Sequence, residues 1–338
     1  MVTSPGGPWE DWLASLTGVP TGATRGRSVR RTTSGALIVT TADLVIKLHH
    51  PRADHDLLAA RLRLAASPSL ATLVLAPRLA RPLAVPPELS TELSGAWRWA
   101  SLWPRVEVLD PHAADGHHDP SGLDDPDDPD GAHLPWAAAG RLLAGLHLAG
   151  IPQGTPPSGA GERLPRALAR IATNPGRDAA VVGAAGQVVA QALADAAPGL
   201  GTLVHGDWHL GQLGRPPGTD HWVLIDLDDL GIGPAAGDLA RPAGFWACGL
   251  LPDASWAAFI EGYRDGGGPA VPPQGDPWPV LEPHARAAVV VAAARAVLDG
   301  LDGPLDAVGS ALVEACSRMP QGDTPATGTP GTARRRPR

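Results

Sequence analysis

Two patterning regimes meet in this chain, and their order limits the folds open to it. Residues 1–103 read as strand-rich, whereas the chain from Leu134 onward is helix-forming. The helical part is interrupted once, at 203–233, by a short β island crowded with acidic residues. In the first part, SGALIVTTADLVIKLHH (34–50) holds two β-favouring runs, ALIVT and LVIKL, on either side of a polar TAD, which predicts a hairpin ended by Pro51. DHDLLAARLRLAAS (54–67) then places Leu57, Leu58, Leu62 and Ala65 at helical spacing, with Asp54 or Asp56 suited to the first turn. APRLARPLAV and AWRWASLW read as further strands around a polar PPELSTELSG turn. Strands around one helix, then a run of helices, predict an α+β fold of two lobes.

We therefore expect an N-terminal lobe over 1–103, a hinge and acidic insert over 104–133, a helical lobe over 134–319 and a disordered tail over 320–338. The insert is Pro-rich and nearly free of large apolar side chains, so it cannot bury enough surface to fold alone. Helices are expected in PWAAAGRLLAGLHLAG (135–150), ERLPRALARIATN, AAVVGAAGQVVAQALADAA, SWAAFIEGYRDG and HARAAVVVAAARAVLDGL.

Charge and cysteine content narrow the function classes. With 35 acidic against 27 basic residues the net charge is −8, which argues against a broad nucleic-acid surface. The two cysteines, Cys248 and Cys316, show neither metal nor disulfide spacing, so a reducing cytoplasm is expected. The start, MVTSPGGPWEDWLASL, lacks a basic segment followed by an apolar run. The longest apolar stretch, Ala287–Ala294, is fenced by Arg286 and Arg295 and is too short to cross a bilayer. A soluble protein without a membrane partner is expected.

The island opens with LVHGDWHLGQLG (203–214), which supports two chemistries. In an extended strand His205, Asp207 and His209 share a face and can grip a metal, as in a hydrolase. The flanking Gly206 and Gly211 favour instead a tight loop built around Asp207, with Gln212 five residues on. Further along, Asp226 ends the apolar strand WVLI and is followed by Asp228, Asp229 and Asp238. Carboxylates at strand ends suit Mg²⁺, which prefers oxygen ligands. Phosphoryl transfer needs such oxygens, a carboxylate to orient the attacking hydroxyl, and a cation over the phosphates. Lys47, in LVIKL, is the sole lysine in the sequence and supplies that cation.

These segments together resemble the aminoglycoside phosphotransferase and choline kinase-like family, relatives of the protein kinases. The family's HGDxHxxN loop stands here as residues 205–212, and IDLDDLGIGPAAGDLA (225–240) matches its strand and DLA turn. GRLLAGLHLAG and FIEGYRDG are also similar, and the two central aspartates lie nineteen residues apart. The resemblance implies a two-lobed protein-kinase-like fold and ATP-dependent transfer to a hydroxyl of a small molecule, with ATP and Mg²⁺ as cofactors. It implies Asp207 as catalytic base, Asp226 and Gln212 at the metal, and Lys47 on the α- and β-phosphates. Asp238 and His205 are then structural supports, and the peptide around Trp103–Val106, Arg105 included, is the hinge that meets adenine.

Three positions depart from the family pattern. Gln212 replaces the usual Asn and is one methylene longer. No Glu stands in the first helix to pair with Lys47, leaving Asp54 and Asp56 as candidates. The segment RSVRRTTSG (27–35), where a phosphate-covering loop belongs, has one glycine, Gly35. These departures keep a second reading open, a nucleotide-binding pseudokinase. Asp228, Asp229 and Glu261 suit a cationic acceptor such as an aminosugar, and Trp208 reads either as a stacking platform or as a core residue.

Overall fold

The N-terminal strands form where β-branched and leucine side chains run together, as in LIVT and LVIKL, and alternate side chains of such a run can be buried against a core. The structure, a computed structural model, describes residues 9, 12, 14, 15, 28–32, 35–92, 95–109, 134–195, 201–300 and 303–319. The acidic insert, the 320–338 tail and part of 27–35 lie outside the described residues. Strands β1 (Ser28–Arg31), β2 (Leu37–Thr40), β3 (Leu44–Leu48), β4 (Leu83–Ala84) and β5 (Trp99–Pro104) make one antiparallel sheet in the order β1-β2-β3-β5-β4. The β2–β3 hairpin turns at Thr41, whose N–H donates to Leu44 O at 2.8 Å. Leu37, Val39, Ile46, Leu48, Ala100 and Leu102 form the buried row and pack with Trp9 and Trp97. By alternation Lys47 faces the other way, directly opposite Ser101 on β5.

Helix α1 (His55–Ala65) starts at Asp54, whose side chain accepts from the N–H groups of Asp56 and Leu57. It buries Leu58, Leu62 and Ala65, but Leu57 is exposed, contrary to its expected place on the apolar face. The polar PPELSTELSG segment is not a plain turn. It contains the short helix α2 (Pro87–Glu92), with proline at its first position, where no N–H is needed. APRLARPLAV contributes only the two residues of β4.

The remaining helices are α3 (Trp136–Leu148), α4 (Arg163–Ile171), α5 (Arg177–Asp195), α6 (Ala236–Ala247), α7 (Asp253–Asp265), α8 (Trp278–Asp299) and α9 (Ala307–Arg318). Helices α6 and α9 are additional to the expected set. The chain divides into two compact units, 1–162 with 198–285, and 163–197 with 286–338. The segment 134–319, expected as one lobe, is thus shared between them. In the second unit α4 and α9 pack on α5. In the first, α3 and α7 cross so closely that a Cβ on Gly140 would strike Phe259 O and lie 2.6 Å from Tyr263 N. No helix among the described residues is long and apolar enough to cross a membrane.

The island forms two small sheets in the first unit. β7 (Thr202–Val204) pairs with β10 (Gly231–Gly233), and β6 (Glu107–Val108), β8 (Leu213–Arg215) and β9 (Val223–Leu224) form the other, all antiparallel. Val204 pairs with Gly231 and Leu213 with Leu224, so loops 205–212 and 225–230 are held side by side at both ends.

Candidate active site

Loop 205–212 is fixed from beneath by side chains that leave the described polar groups of His205 satisfied. Its backbone N–H donates to Asp238 Oδ2 at 2.6 Å, and its Nε2 donates to Ile225 O at 2.8 Å. Its Nδ1 then accepts from the N–H of Asp207 at 3.4 Å. Gly206 donates to Asp238 Oδ1 at 2.8 Å and has φ 87°, a left-handed conformation that favours glycine. A Cβ there would also strike Ser158 Oγ and lie 2.6 Å from Asp229 O. Asp207 itself is half-buried.

Asp238, at the start of α6, is almost fully buried. Besides the two loop N–H groups it accepts from His147 Nε2 at 3.1 Å, and His147 Nδ1 meets the Tyr263 hydroxyl at 2.7 Å. That hydroxyl also accepts from Ala270 N at 3.0 Å. The chain from α7 through α3 to α6 thus ends on the loop that carries Asp207. Burial alone would raise the carboxyl pKa, but the hydrogen bond and charge of His147, with His205 and the Gly206 N–H, outweigh it and hold Asp238 below its ordinary range. Burial pushes the Tyr263 hydroxyl well above its ordinary value.

The neighbouring loop places Asp226 at φ 58°, ψ 61°, the one non-glycine residue with positive φ among the described residues. Such a conformation costs energy and is kept where the surroundings fix it. Its carboxylate is half-exposed and meets Lys47 Nζ through Oδ1, while Oδ2 lies 3.5 Å from Gln212 Nε2. Lys47 is buried and makes a second ion pair, with Asp228 Oδ2 at 2.8 Å. Burial disfavours the ammonium, but the charges of Asp228 and Asp226 outweigh it and raise its pKa above the ordinary value. Asp228 shows the converse: burial opposes its charge, yet Lys47 and His49 hold its pKa far below the usual carboxylate range. His49 Nδ1 lies 3.6 Å from Asp228, and its Nε2 meets Ser101 Oγ at 2.8 Å. Ser101 Oγ accepts from Trp103 Nε1, also at 2.8 Å.

The structure therefore brings Lys47, Asp226 and Gln212 together and sets Asp238 and His205 under the Asp207 loop. It does not bring Asp54 or Asp56 to Lys47. Asp54 is spent on capping α1, and Asp56 is exposed beside His55. Helix α1 is instead tied to the site by Arg61, whose Nε donates to Leu230 O at 3.2 Å. Arg105 also turns away: its guanidinium donates to Thr41 O at 3.2 Å and its N–H to Asp43 O at 2.8 Å, fastening the β2–β3 turn. Trp103 turns its indole N–H inward to Ser101. Trp208 is a core residue, buried and stacked on Phe259 with ring centroids 5.0 Å apart. The metal grip of His205, Asp207 and His209 is overturned, because hydrogen bonds take both His205 ring nitrogens.

Sequence reasoning passed over His49, Ser101, His147 and Tyr263, and gave Asp228 to the strand-end carboxylate cluster and the acceptor, not to Lys47. The available signal was polar residues in otherwise apolar runs: His49 two places after Lys47, Ser101 within WASLW, and His147 within LLAGLHLAG.

Asp226 and Gln212 face each other with hard donors, the type Mg²⁺ takes when water and phosphate oxygens complete its shell. The amide would present its oxygen after a half-turn of its terminal torsion. No group of three or more His, Cys, Asp or Glu among the described residues could hold a metal ion by itself. The donor set fits a metal that arrives with a phosphate ligand.

Solved structures of known proteins share this fold. A choline/ethanolamine kinase family protein from Mesorhizobium loti is 15% identical over 92% of this chain and 94% of its own, with TM-score 0.55. Spectinomycin phosphotransferase APH(9)-Ia, solved with ADP and spectinomycin, is 13% identical over 91% and 98%, with TM-score 0.57. Amicoumacin kinase hAmiN, solved with AMP-PNP, Ca²⁺ and Ami, is 14% identical over 86% of each chain, with TM-score 0.58. These likenesses establish a kinase-like α+β fold, with a strand-rich N-terminal region and a helical C-terminal part. No curated protein matches the sequence. Residues 17–278, more than half of the chain, match the family described as phosphotransferase enzymes, and this protein belongs to that phosphotransferase enzyme family.

Proposed function

We propose that the protein transfers the γ-phosphoryl group of ATP, as its Mg²⁺ complex, to a hydroxyl of a small polar molecule in the cytoplasm. The observation that carries this reading is the meeting of Lys47, Asp226 and Gln212 beside the loop that bears Asp207. Lys47 holds the α- and β-phosphates. Asp226 and Gln212 hold the metal, which when bound neutralises charge on the phosphate oxygens. Asp207 orients the acceptor hydroxyl and takes its proton on the carboxylate, while Asp238 keeps the loop in place through the N–H groups of His205 and Gly206. Structural neighbours solved with spectinomycin and with Ami support a small polar acceptor. An ATP-dependent phosphorylation screen of hydroxylated small molecules, with Asp207→Ala as control, tests the reading. It fails if no acceptor is labelled, or if Asp207→Ala labels as well as the natural chain.

One observation favours a second reading, a nucleotide-binding pseudokinase. Helix α1 brings neither Asp54 nor Asp56 to Lys47. ATP binding with no turnover across the whole panel, and no slow ATP hydrolysis, selects it.

A further inference from the structure

In a nucleotide site of this kind a lysine must be held extended at the phosphates, and a nearby carboxylate usually does the holding. Helix α1 offers none, since both of its candidate aspartates are otherwise engaged or exposed. The structure supplies a carboxylate from elsewhere. Asp228 lies 2.8 Å from Lys47 Nζ and is two residues past Asp226, on the same 3-10 turn (Leu227–Asp229). We propose that Asp228 is the positioning residue for Lys47, and that His49, set by Ser101, keeps Asp228 in place for that task. The proposal rests on the nucleotide-binding reading of Lys47 given above.

The geometry separates the two carboxylates by role. A metal on Asp226 would compete with the ammonium for that carboxylate, whereas Asp228 is assigned no metal and has its own support. That support is a row of polar groups on one face of the sheet, buried His49 just past the end of β3, with buried Ser101 and half-buried Trp103 on β5. The indole N–H can only donate, so it takes a lone pair of Ser101 Oγ. With the Ser101 hydroxyl proton directed at His49 Nε2, the ring proton stands on Nδ1, 3.6 Å from Asp228; this is the tautomer the proposal assigns. A polar row in a sheet interior is costly unless its members satisfy one another, and these do.

The test measures ADP affinity by calorimetry in the presence of EDTA and in an Asp226→Asn background, so metal, turnover and the other carboxylate on Lys47 all stay out of the readout. Deleting a negative charge beside a phosphate site should tighten binding of an anion on electrostatic grounds alone. A positioning role predicts the opposite sign. Asp228→Asn is expected to weaken metal-free ADP binding roughly tenfold, and His49→Ala roughly threefold. His49→Gln, which keeps a donor toward Asp228 and an acceptor toward Ser101, is expected to recover most of that loss. Asp56→Ala is expected to leave affinity unchanged. Should Asp228→Asn bind ADP equally or more tightly while Lys47→Ala loses it, the proposal is overturned and the nucleotide reading stands. If Lys47→Ala also binds ADP normally, the nucleotide reading itself falls. Should Asp228→Asn not fold, the contrast between His49→Ala and His49→Gln decides: equal affinities overturn the proposal.

Discussion

Asp238 and His205, thirty-three residues apart, are joined by a 2.6 Å hydrogen bond from the backbone N–H of His205 to the Asp238 carboxylate. The second carboxylate oxygen accepts from Gly206, so one buried side chain fixes the entry of the loop that carries Asp207. Replacement by Asn turns one acceptor into a donor aimed at a donor. Asp238→Asn should lower stability by about 3–5 kcal/mol, the usual cost of breaking a buried charged contact. Urea unfolding of the two proteins measures it, and a loss under about 1 kcal/mol would contradict the assignment of the loop's support to this carboxylate.

The same carboxylate sets a pH dependence. Its folded pKa is depressed from an ordinary value of 3.8, so its contribution to stability is fully present above that value. The contribution is lost as pH falls through the folded pKa, because protons then bind the unfolded chain first. Thermal melts between neutral pH and pH 3 should show an acid limb that is flatter in Asp238→Asn than in the natural protein.

Gly206 combines a left-handed backbone with contact against Ser158 and Asp229. Gly206→Ala is expected to cost about 1–3 kcal/mol in stability and to displace Asp207, reducing turnover more than nucleotide binding. Parallel melting and steady-state measurements separate the two effects; an Ala variant with unchanged kcat would show that the loop tolerates the shift.

Asp207→Ala should lower phosphoryl transfer by roughly 10²–10⁴-fold, the range for loss of a general base. Nucleotide affinity should stay within about twofold, since Asp207 is assigned to the acceptor hydroxyl. Single-turnover transfer and ADP calorimetry on the same preparation check both halves.

Gln212→Ala should raise the Mg²⁺ concentration for half-maximal activity on the order of tenfold, as loss of an oxygen donor does. A magnesium titration at saturating ATP gives the result. An unchanged midpoint would remove Gln212 from the metal site.

Much of this site was legible because its chemistry demands particular residue types in short, glycine-bounded loops. Asp207, Gln212 and Asp226 stood out for that reason, Lys47 as the lone charge in an apolar strand and Asp238 as the lone carboxylate in a mostly apolar helix. The hairpin of β2 and β3 was equally readable from its two β-favouring runs. What escaped was set by meetings across long stretches of chain. The ion pair of Lys47 with Asp226 spans 179 residues, and the hydrogen bond of His147 to Asp238 spans 91, and neither leaves a local pattern. Helix α2 escaped because its polar sequence reads as a turn, whereas proline at its first position starts a helix there.

The sequence by itself determined the α+β order of elements and the polar residues that gather at the candidate site, because periodicity and loop chemistry are local properties. Only the tertiary structure decided which carboxylates face Lys47, that Trp208 belongs to the core, and that Asp54 serves a helix end rather than the lysine. Those outcomes depend on which buried groups must satisfy one another once the strands and loops are brought together, and a buried charge takes the partner that packing puts within reach.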